Sequence, residues 1–204
     1  MAARNPKGSP FRSTLAAVAV GIALATALGG CSSASPSTTT SASAGATEIN
    51  PPGDIPDTQA FVAFDVPNSR VTLKVPEGWS RIDGATATSF TDKLNRIEIQ
   101  VTSASTPPTE ASIRTVDAPK LQKMSAKFAL GSIRSVVRKG GSAILTTYQV
   151  DSAPDSVTGK VVRDAVERYT YFKGTTRVDL LLIAPTNADN VDPWLTVSDS
   201  VTLR

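Results

Sequence analysis

The side chains that could do chemistry are few, because the chain of 204 residues has no histidine and a single cysteine, Cys31. Without histidine there is no Ser-His or Cys-His nucleophile pair, no imidazole metal ligand and no imidazole base near neutral pH. Disulfides within the chain and sulfur-rich metal sites both need more than one thiol. Cys31 and the carboxylates therefore remain as the groups that could react or bind.

Carboxylate-only catalysis, as in glycoside hydrolases, is the remaining enzymatic alternative. Its candidates are six acidic residues: Asp92, Glu98, Glu110, Asp164, Glu167 and Asp179. Glu98, Asp164 and Glu167 occupy alternate strand positions among lysines and arginines, which is typical of solvated cross-strand ion pairs. Nothing in the pattern places two acids together in an apolar setting. We therefore predict a protein that is not an enzyme and needs no cofactor, with the carboxylate hydrolase as an unfavoured alternative.

Metal, nucleotide and nucleic-acid sites are not predicted. Four of the loop aspartates could suggest a calcium site: Asp151, Asp155, Asp189 and Asp192. Their spacing differs from that of a calcium-binding loop, and roles in turns and helix caps account for them. Gly140-Gly141 is not followed by the Lys-Ser/Thr pair of a phosphate-binding loop. No stretch after residue 30 has the clustered cations that a phosphate backbone requires, so we expect no nucleic-acid partner.

Cys31 stands where an apolar run ends. The run from Leu15 to Leu28 follows three basic residues and is too short to span a bilayer comfortably. Leu28-Gly29-Gly30-Cys31 resembles the bacterial lipobox, with an apolar residue for the signal peptidase, two glycines that leave the scissile bond uncrowded, and a thiol that can take a diacylglyceryl thioether. We expect residues 1–30 to be a lipoprotein signal peptide and Cys31 to carry palmitate-type acyl chains. An ordinary signal peptide with an incidental cysteine is the alternative.

Acylation at Cys31 would decide where the protein resides. Each buried CH₂ contributes about 0.8 kcal/mol, and two chains anchor stably where one binds only reversibly. The basic leader orients the rest of the chain outside the cytoplasmic membrane. Three of the 21 basic residues lie in that leader, which leaves 18 basic against 18 acidic residues. We expect a near-neutral lipoprotein on the extracytoplasmic, periplasmic side of the cell membrane.

Residues 31–58 are rich in serine, threonine and proline, and have too little apolar bulk to offset the entropy of ordering. They predict a tether that is stiffer toward its proline-rich end. A glycosylated stalk and a plain spacer are equally consistent with this composition.

Residues 59–204 have the pattern of one domain built mainly from strands. Alternating apolar residues predict strands at 61–66, 71–75, 87–91 and 97–102, with a short strand after the Pro76–Trp79 turn. Lys139-Gly140-Gly141 predicts a hairpin between strands 133–137 and 143–150. The segment 161–172 fits a helix or a strand. Its β-branched and aromatic content favours a strand that pairs with 178–184.

Two helices are predicted between and after these strands. The first is capped by Asp117, has Pro119 in its first turn and ends at Gly131. Its inward stripe is predicted to be Leu121, Met124 and Phe128. The last helix is capped by Asp189 or Asn190, and its predicted inward residues are Val191, Trp194, Val197 and Val201. The fold class is therefore α+β, an antiparallel sheet with helices packed on its faces.

The order of landmarks resembles a known family. A Val75-Pro76-Glu77-Gly78-Trp79 turn precedes a Ser89-Phe90-Thr91-Asp92 strand, an Ile-x-Ile-x-Val strand and a mid-chain helix, and the chain closes with a hairpin ending at Pro185 and a terminal helix. This order is similar to the Mog1/PsbP-like α/β/α sandwich. With the lipobox and the tether, it resembles the mycobacterial LpqN-type lipoproteins.

The resemblance implies a cell-envelope accessory protein that supports the transport of mycolate-type lipids as a non-catalytic binding or adaptor module. Its partners would be an envelope lipid or a membrane lipid transporter. A pure protein-protein adaptor that holds no lipid is the alternative. If lipid is bound, a groove between the sheet and one helix would hold it. The candidate groove residues are Trp79, Phe90, Phe128 and Trp194, and filling of the core is the alternative role of each.

Overall fold

Ten β-strands and two helical stretches make up residues 51–204, which are the residues that the computed structural model describes. The strands are β1 (Phe61–Asp65), β2 (Val71–Pro76), β3 (Ser80–Asp83), β4 (Ala87–Asp92), β5 (Asn95–Ser103), β6 (Ala129–Arg138), β7 (Gly141–Asp151), β8 (Arg163–Lys173), β9 (Thr176–Pro185) and β10 (Thr202–Leu203). The mid-chain helical segment consists of α1 (Glu110–Ser112), a π-helical turn (Ile113–Asp117) and α2 (Ala118–Met124), and α3 (Val191–Asp199) follows β9. The predicted signal peptide, the predicted lipobox and most of the predicted tether lie outside the described residues.

Seven strands form one antiparallel sheet in the order β3-β4-β5-β9-β8-β7-β6. The hairpins that the sequence predicts are present. Arg138 pairs with Gly141 across a two-residue turn, and Lys173 pairs with Thr176 in the same way. The ambiguous segment 161–172 forms β8, as its β-branched and aromatic residues indicate.

The remaining strands form a separate three-stranded sheet in the order β1-β2-β10. The sequence predicts one antiparallel sheet, whereas the structure has two. β10 has two residues and follows α3, so it is too short to produce a periodic pattern. It pairs with β2 through Thr202 and Leu203, which brings the end of the chain next to its first hairpin.

One face of the seven-stranded sheet buries the main core. Because successive strand residues point to opposite faces, Ile99 of β5 and Leu180 of β9 share this face. Leu73 of the small sheet and Val197 of α3 belong to the same cluster. Each of these four side chains is almost completely buried, so α3 and the small sheet together cover this face.

The mid-chain helical segment covers the other face of the seven-stranded sheet. Ile113 of the π-helical turn is buried against Ile133 and Ile144. A second cluster contains Tyr148, Val166 and Ile183, with Leu121 and Phe128 packed against it. The predicted α+β class, an antiparallel sheet with helices on its faces, is confirmed.

The first predicted helix has different bounds. It begins at a capping box in which Thr109 and Ser112 exchange hydrogen bonds, not at Asp117, whose side chain makes no cap. It ends at Met124, and Gly131 lies in β6. The π-helical turn adds backbone that a 3.6-residue period does not allow for, and Met124 points outward, 84% exposed.

The last helix is where the sequence predicts it, with Asn190 at its N-cap position. Trp194 and Val197 are buried, and so is Val201 just beyond the helix. Val191 was predicted to face inward, but it is 72% exposed. The Asn190 side chain makes no cap hydrogen bond because it is used elsewhere.

Asn190 binds the first described segment of the chain. Its Oδ1 accepts the Ile55 N–H at 2.7 Å, and its Nδ2 donates to the Gly53 carbonyl at 2.9 Å and to Asn95 Oδ1 at 3.2 Å. Gly53 has φ +100°, and a Cβ there would come within 2.7 Å of Pro185. Ile55 belongs to the main core, so the packed structure begins before residue 59, inside the predicted tether.

Candidate functional site

A buried ion cluster lies beneath the mid-chain helical segment. It consists of Asp117, Arg168, Thr170, Arg177 and Asp179. The β8–β9 register sets it up, since Thr170 pairs with Asp179 while Arg168 and Arg177 stand two residues away from them on the same face. Asp117 is the last residue of the π-helical turn, and its carboxylate pairs with Arg177 of the cluster.

Asp179 is the centre of this buried ion cluster. Its carboxylate accepts the Thr170 hydroxyl at 2.7 Å, the Arg177 Nε at 3.0 Å and an Arg168 guanidinium nitrogen at 3.0 Å. Arg177 also donates to Asp117 at 3.2 Å, which ties the helical segment to the sheet. Asp179 is almost completely buried, so these contacts replace its hydration.

The charges of the cluster balance, with two guanidinium groups against two carboxylates. Burial by itself lowers the pKa of Arg177, but hydrogen bonds and charges from Asp179 and Asp117 outweigh it and raise that pKa above its ordinary value. A buried ion pair costs desolvation that its attraction only partly repays, while removal of one partner is strongly destabilising. The cluster therefore fixes the position of the helical segment more than it adds stability.

Two buried polar atoms at this site lack a hydrogen-bond partner among residues 51–204. They are the Thr146 hydroxyl oxygen and the Arg168 Nε. The two residues pair directly across β7 and β8. The desolvation cost of such an unpaired buried group is about 1–3 kcal/mol. The site therefore has hydrogen-bonding atoms that no described protein group satisfies.

A cleft of about 380 Å³ opens beside the cluster. It runs between the loop after β5 and the helical segment, and its charged lining residues are Asp117, Lys120 and Arg177. Most of the other lining residues carry hydroxyl groups or are prolines: Ser103, Ser105, Thr106, Pro107, Pro108 and Ser112. Acyl chains bind in mostly apolar pockets, so this cleft suits a polar ligand or a polar segment of a partner better.

A second cleft of about 500 Å³ lies where two hairpin turns approach the end of β5. The residues 66–69 and 83–88 form its walls, and Ile99 and Val101 contribute apolar surface. Asp83 is its one charged lining residue. The hydrogen bond from Arg81 opposes the effect of burial and lowers the pKa of Asp83, with help from Thr88. This cleft is also mixed in polarity.

The four predicted groove residues do not line either cleft. Phe90 and Trp194 are buried in the main core, and Trp79 is packed against its margin. Phe128 lies on the opposite face of the sheet, 5.2 Å from the Tyr148 ring. The four candidates are not brought together in one groove, because the sheet separates Phe128 from the other three. Core packing, the alternative role, accounts for Phe90 and Trp194.

The acidic candidates for catalysis are mostly held by neighbouring donors. Glu110 accepts the Ser135 N–H and hydroxyl at 2.6 and 2.7 Å, and Glu167 accepts the Tyr169 hydroxyl at 2.8 Å. Asp179 belongs to the ion cluster. Burial raises the pKa of Asp164, with a small contribution from Asp151. Among residues 51–204 no group of three or more acidic residues is placed to hold a metal ion.

The predicted lipidation residue Cys31 and its neighbours Leu28, Gly29 and Gly30 lie outside the described residues. Within residues 51–204, no helix combines the length and apolar character needed to cross a membrane.

Comparisons with known proteins find similarity in structure. No family model matches the chain, and no curated protein has a similar sequence. A protein of Bacteroides thetaiotaomicron has a similar structure with 12% identity and a TM-score of 0.46; the match covers 70% of this chain and 48% of the other, so this chain spans about half of that protein.

Two other solved structures are also similar. One is the protein of unknown function PA94 from Pseudomonas aeruginosa, at 12% identity and a TM-score of 0.36, with 62% of this chain and 83% of the other covered. The other is the Saccharomyces cerevisiae Ran-binding protein Mog1p, at 9% identity and a TM-score of 0.43, with 64% and 79% covered.

The ion cluster is the part of the site that the sequence interpretation missed. Its signal is a single aspartate inside an otherwise apolar strand, Val178-Asp179-Leu180, with arginines in both strands of the same hairpin. The Gly174 turn fixes the register that places Thr170 opposite Asp179. Treating Asp179 as a catalytic candidate alone overlooked these cross-strand partners.

Proposed function

We propose that the chain is a cell-envelope lipoprotein, anchored in the cell membrane through acyl chains on Cys31, whose domain acts outside that membrane as a non-catalytic binding or adaptor module. The observation that carries the proposal is the only cysteine of the chain, placed at the end of an apolar leader in Leu28-Gly29-Gly30-Cys31. The serine- and threonine-rich stretch that follows supports a domain held at a distance from its anchor.

On the resemblance to the LpqN-type lipoproteins, we extend the proposal to a role in the transport of mycolate-type envelope lipids. In one form of this role the domain holds the lipid. In the other form it docks on a membrane lipid transporter and holds none.

The distribution of aromatic side chains supports the adaptor form. Phe90 and Trp194 fill the main core, and the two clefts offer polar and mixed walls to a ligand. A module that carries acyl chains would need a mostly apolar cavity instead. The cleft beside Lys120 and Arg177 is then the surface that a polar segment of a transporter would contact.

Photo-crosslinking in cells tests this proposal. A photoreactive residue at Lys120 is expected to capture a membrane protein, while the same residue at Lys74, exposed on β2, is expected to capture none. Native mass spectrometry of the protein released from membranes then separates the two forms: bare protein with a captured partner supports the adaptor, and retained lipid supports the lipid carrier. If neither a captured partner nor a retained lipid is found, the proposed binding function is contradicted.

The carboxylate hydrolase stays the less supported alternative, because hydrogen bonds hold Glu110, Glu167 and Asp179. Hydrolysis of glycoside substrates by the purified protein, lost in Asp164→Asn, would support this alternative.

A further inference from the structure

Five large apolar side chains are exposed at one end of the seven-stranded sheet. They are Leu94, Met124, Val157, Val161 and Val191. Val157 and Met124 are the extremes, at 90% and 84% exposed. They lie on separate turns and helix ends, so no hydrophobic core accounts for them.

The register of the sheet brings these residues to the same end, which we call the Pro185 end. Asp164 pairs with Pro185, and Asp151 pairs with Arg163, so the loop 152–162 that carries Val157 and Val161 leaves the sheet there. The β4–β5 turn with Leu94 lies beside it, since Arg96 pairs with Ile183.

The two helix ends lie at the Pro185 end as well. The Lys127 carbonyl accepts a hydrogen bond from Arg163 at 2.7 Å, which places the residues just after Met124 there. Val191 follows Asn190, whose amide bonds to Asn95 at the start of β5.

The Pro185 end is also where the chain leaves toward Cys31. The hydrogen bonds of Asn190 to Gly53 and Ile55 hold the first described segment against this end. Residue 51 lies twenty positions after Cys31, and even a fully extended stretch of that length spans no more than about 70 Å. If Cys31 is anchored in a bilayer, that bilayer is always within reach of the Pro185 end, and the effective concentration of its surface near this end is high.

We infer that the Pro185 end is a membrane-contact surface that inserts its exposed apolar side chains into the interface of the bilayer in which Cys31 is anchored. Lys93, Lys123 and Lys160 are exposed among these residues and have the long stems that reach past apolar side chains to head groups. Aspartates at this end, including Asp92, Asp155 and Asp192, offset these cations, so apolar insertion is the driving force and anionic lipid is not required. The inference rests on the proposed anchoring at Cys31.

Hydrogen exchange on the chain from residue 31 onward tests the inference. Coupling of the Cys31 thiol to a maleimide lipid in phosphatidylcholine vesicles supplies the tether whether or not cells acylate this residue. Coupling to a soluble maleimide is the reference. We expect at least twofold slower exchange on vesicles in residues 92–95, 123–128, 153–162 and 189–192, and no change in 84–87 and 174–175 at the opposite end.

Paired variants separate insertion from mere proximity. Met124→Ser with Val157→Ser is expected to remove the protection at the Pro185 end. Ile82→Ser with Val137→Ser, exposed residues at the opposite end, is expected to leave it intact. Equal protection at both ends, protection at neither, or protection that survives the first pair would overturn the inference. Absence of acylation in cells would instead count against the proposed anchor.

Discussion

The Thr146 hydroxyl lies directly across from Arg168 on the neighbouring strand, yet neither it nor the Arg168 Nε has a hydrogen-bond partner among residues 51–204. On the same face of the sheet, the Thr170 hydroxyl donates to Asp179 at 2.7 Å. Both threonines are buried, and of their two hydroxyls only that of Thr170 has a partner among the described residues. This contrast makes the energetic role of the cluster measurable.

Replacing Thr146 with valine is expected to leave the free energy of unfolding unchanged or to raise it by about 1 kcal/mol, since an unpaired buried hydroxyl is removed. The same substitution at Thr170 is the matched control and is expected to lower it by about 1–3 kcal/mol, because the Asp179 carboxylate loses a donor. Urea denaturation measures both. A marked loss of stability in Thr146→Val would mean that this hydroxyl is bonded to something other than the described protein groups.

Glu110 is expected to make the free energy of unfolding depend on pH in the acidic range. Hydrogen bonds from the Ser135 hydroxyl and N–H lower the pKa of Glu110 below its ordinary value of 4.5. The pKa of Glu110 is lower in the folded than in the unfolded chain. The contribution of Glu110 to the free energy of unfolding is therefore fully present above its ordinary pKa and is lost as the pH falls through its pKa in the folded protein.

Glu110→Gln is thus expected to be less stable than the original chain near neutral pH, and the difference should shrink as the pH falls below 4.5. Urea midpoints across this range measure it, with Glu77→Gln on an exposed turn as the control. A difference that does not change with pH would show that the carboxylate charge has no part in holding Ser135.

Alternation along the predicted strand 97–102 indicated the buried face of β5, because Ile97 and Ile99 meet the main core. It did not predict the role of the aromatic residues. Phe128 and Trp194 were both groove candidates, yet the sheet stands between them, because linear spacing contains no information about which face an element covers.

At the scale of elements, the helical segment shows where periodicity stops being informative. The sequence predicted its start at Asp117, whereas the capping box of Thr109 and Ser112 starts it eight residues earlier. The π-helical turn then shifts the positions that follow. The π-helical turn lies over the ion cluster and ends at Asp117. The ion pair between Asp117 and Arg177 therefore has a part in keeping the π-helical geometry.

Asn190 joins three elements, and its removal tests how firmly they are held. Asn190→Ala deletes the bonds to Gly53, Ile55 and Asn95 and is expected to lower the free energy of unfolding by about 2–4 kcal/mol, since buried partners are left unsatisfied. Limited proteolysis should also cut residues 53–58 sooner. Gln122→Ala, on the exposed side of α2, is the control. Unchanged stability and proteolysis in Asn190→Ala would show that the first segment is not held by this residue.

At the scale of the whole molecule, the domain has two dissimilar faces and two dissimilar ends. One face is an apolar core under α3 and the small sheet, and the other combines apolar packing with the ion cluster. The sequence predicted the α+β class because hairpin turns and strand alternation are local signals. The division into two sheets depends on which strands pair: β2 pairs with β1 and with β10 from the end of the chain, but not with β3, and no local pattern contains these choices.

The proposed anchoring and the membrane-contact surface depend on the same thiol. The most direct measurement is mass spectrometry of the N-terminal peptide of the protein isolated from its own membranes, with Cys31→Ser for comparison. We expect a peptide that begins at Cys31 and carries a diacylglyceryl thioether, and a protein that leaves the membrane fraction in Cys31→Ser. A peptide that begins before residue 31, or a Cys31 without acyl groups, would contradict the account.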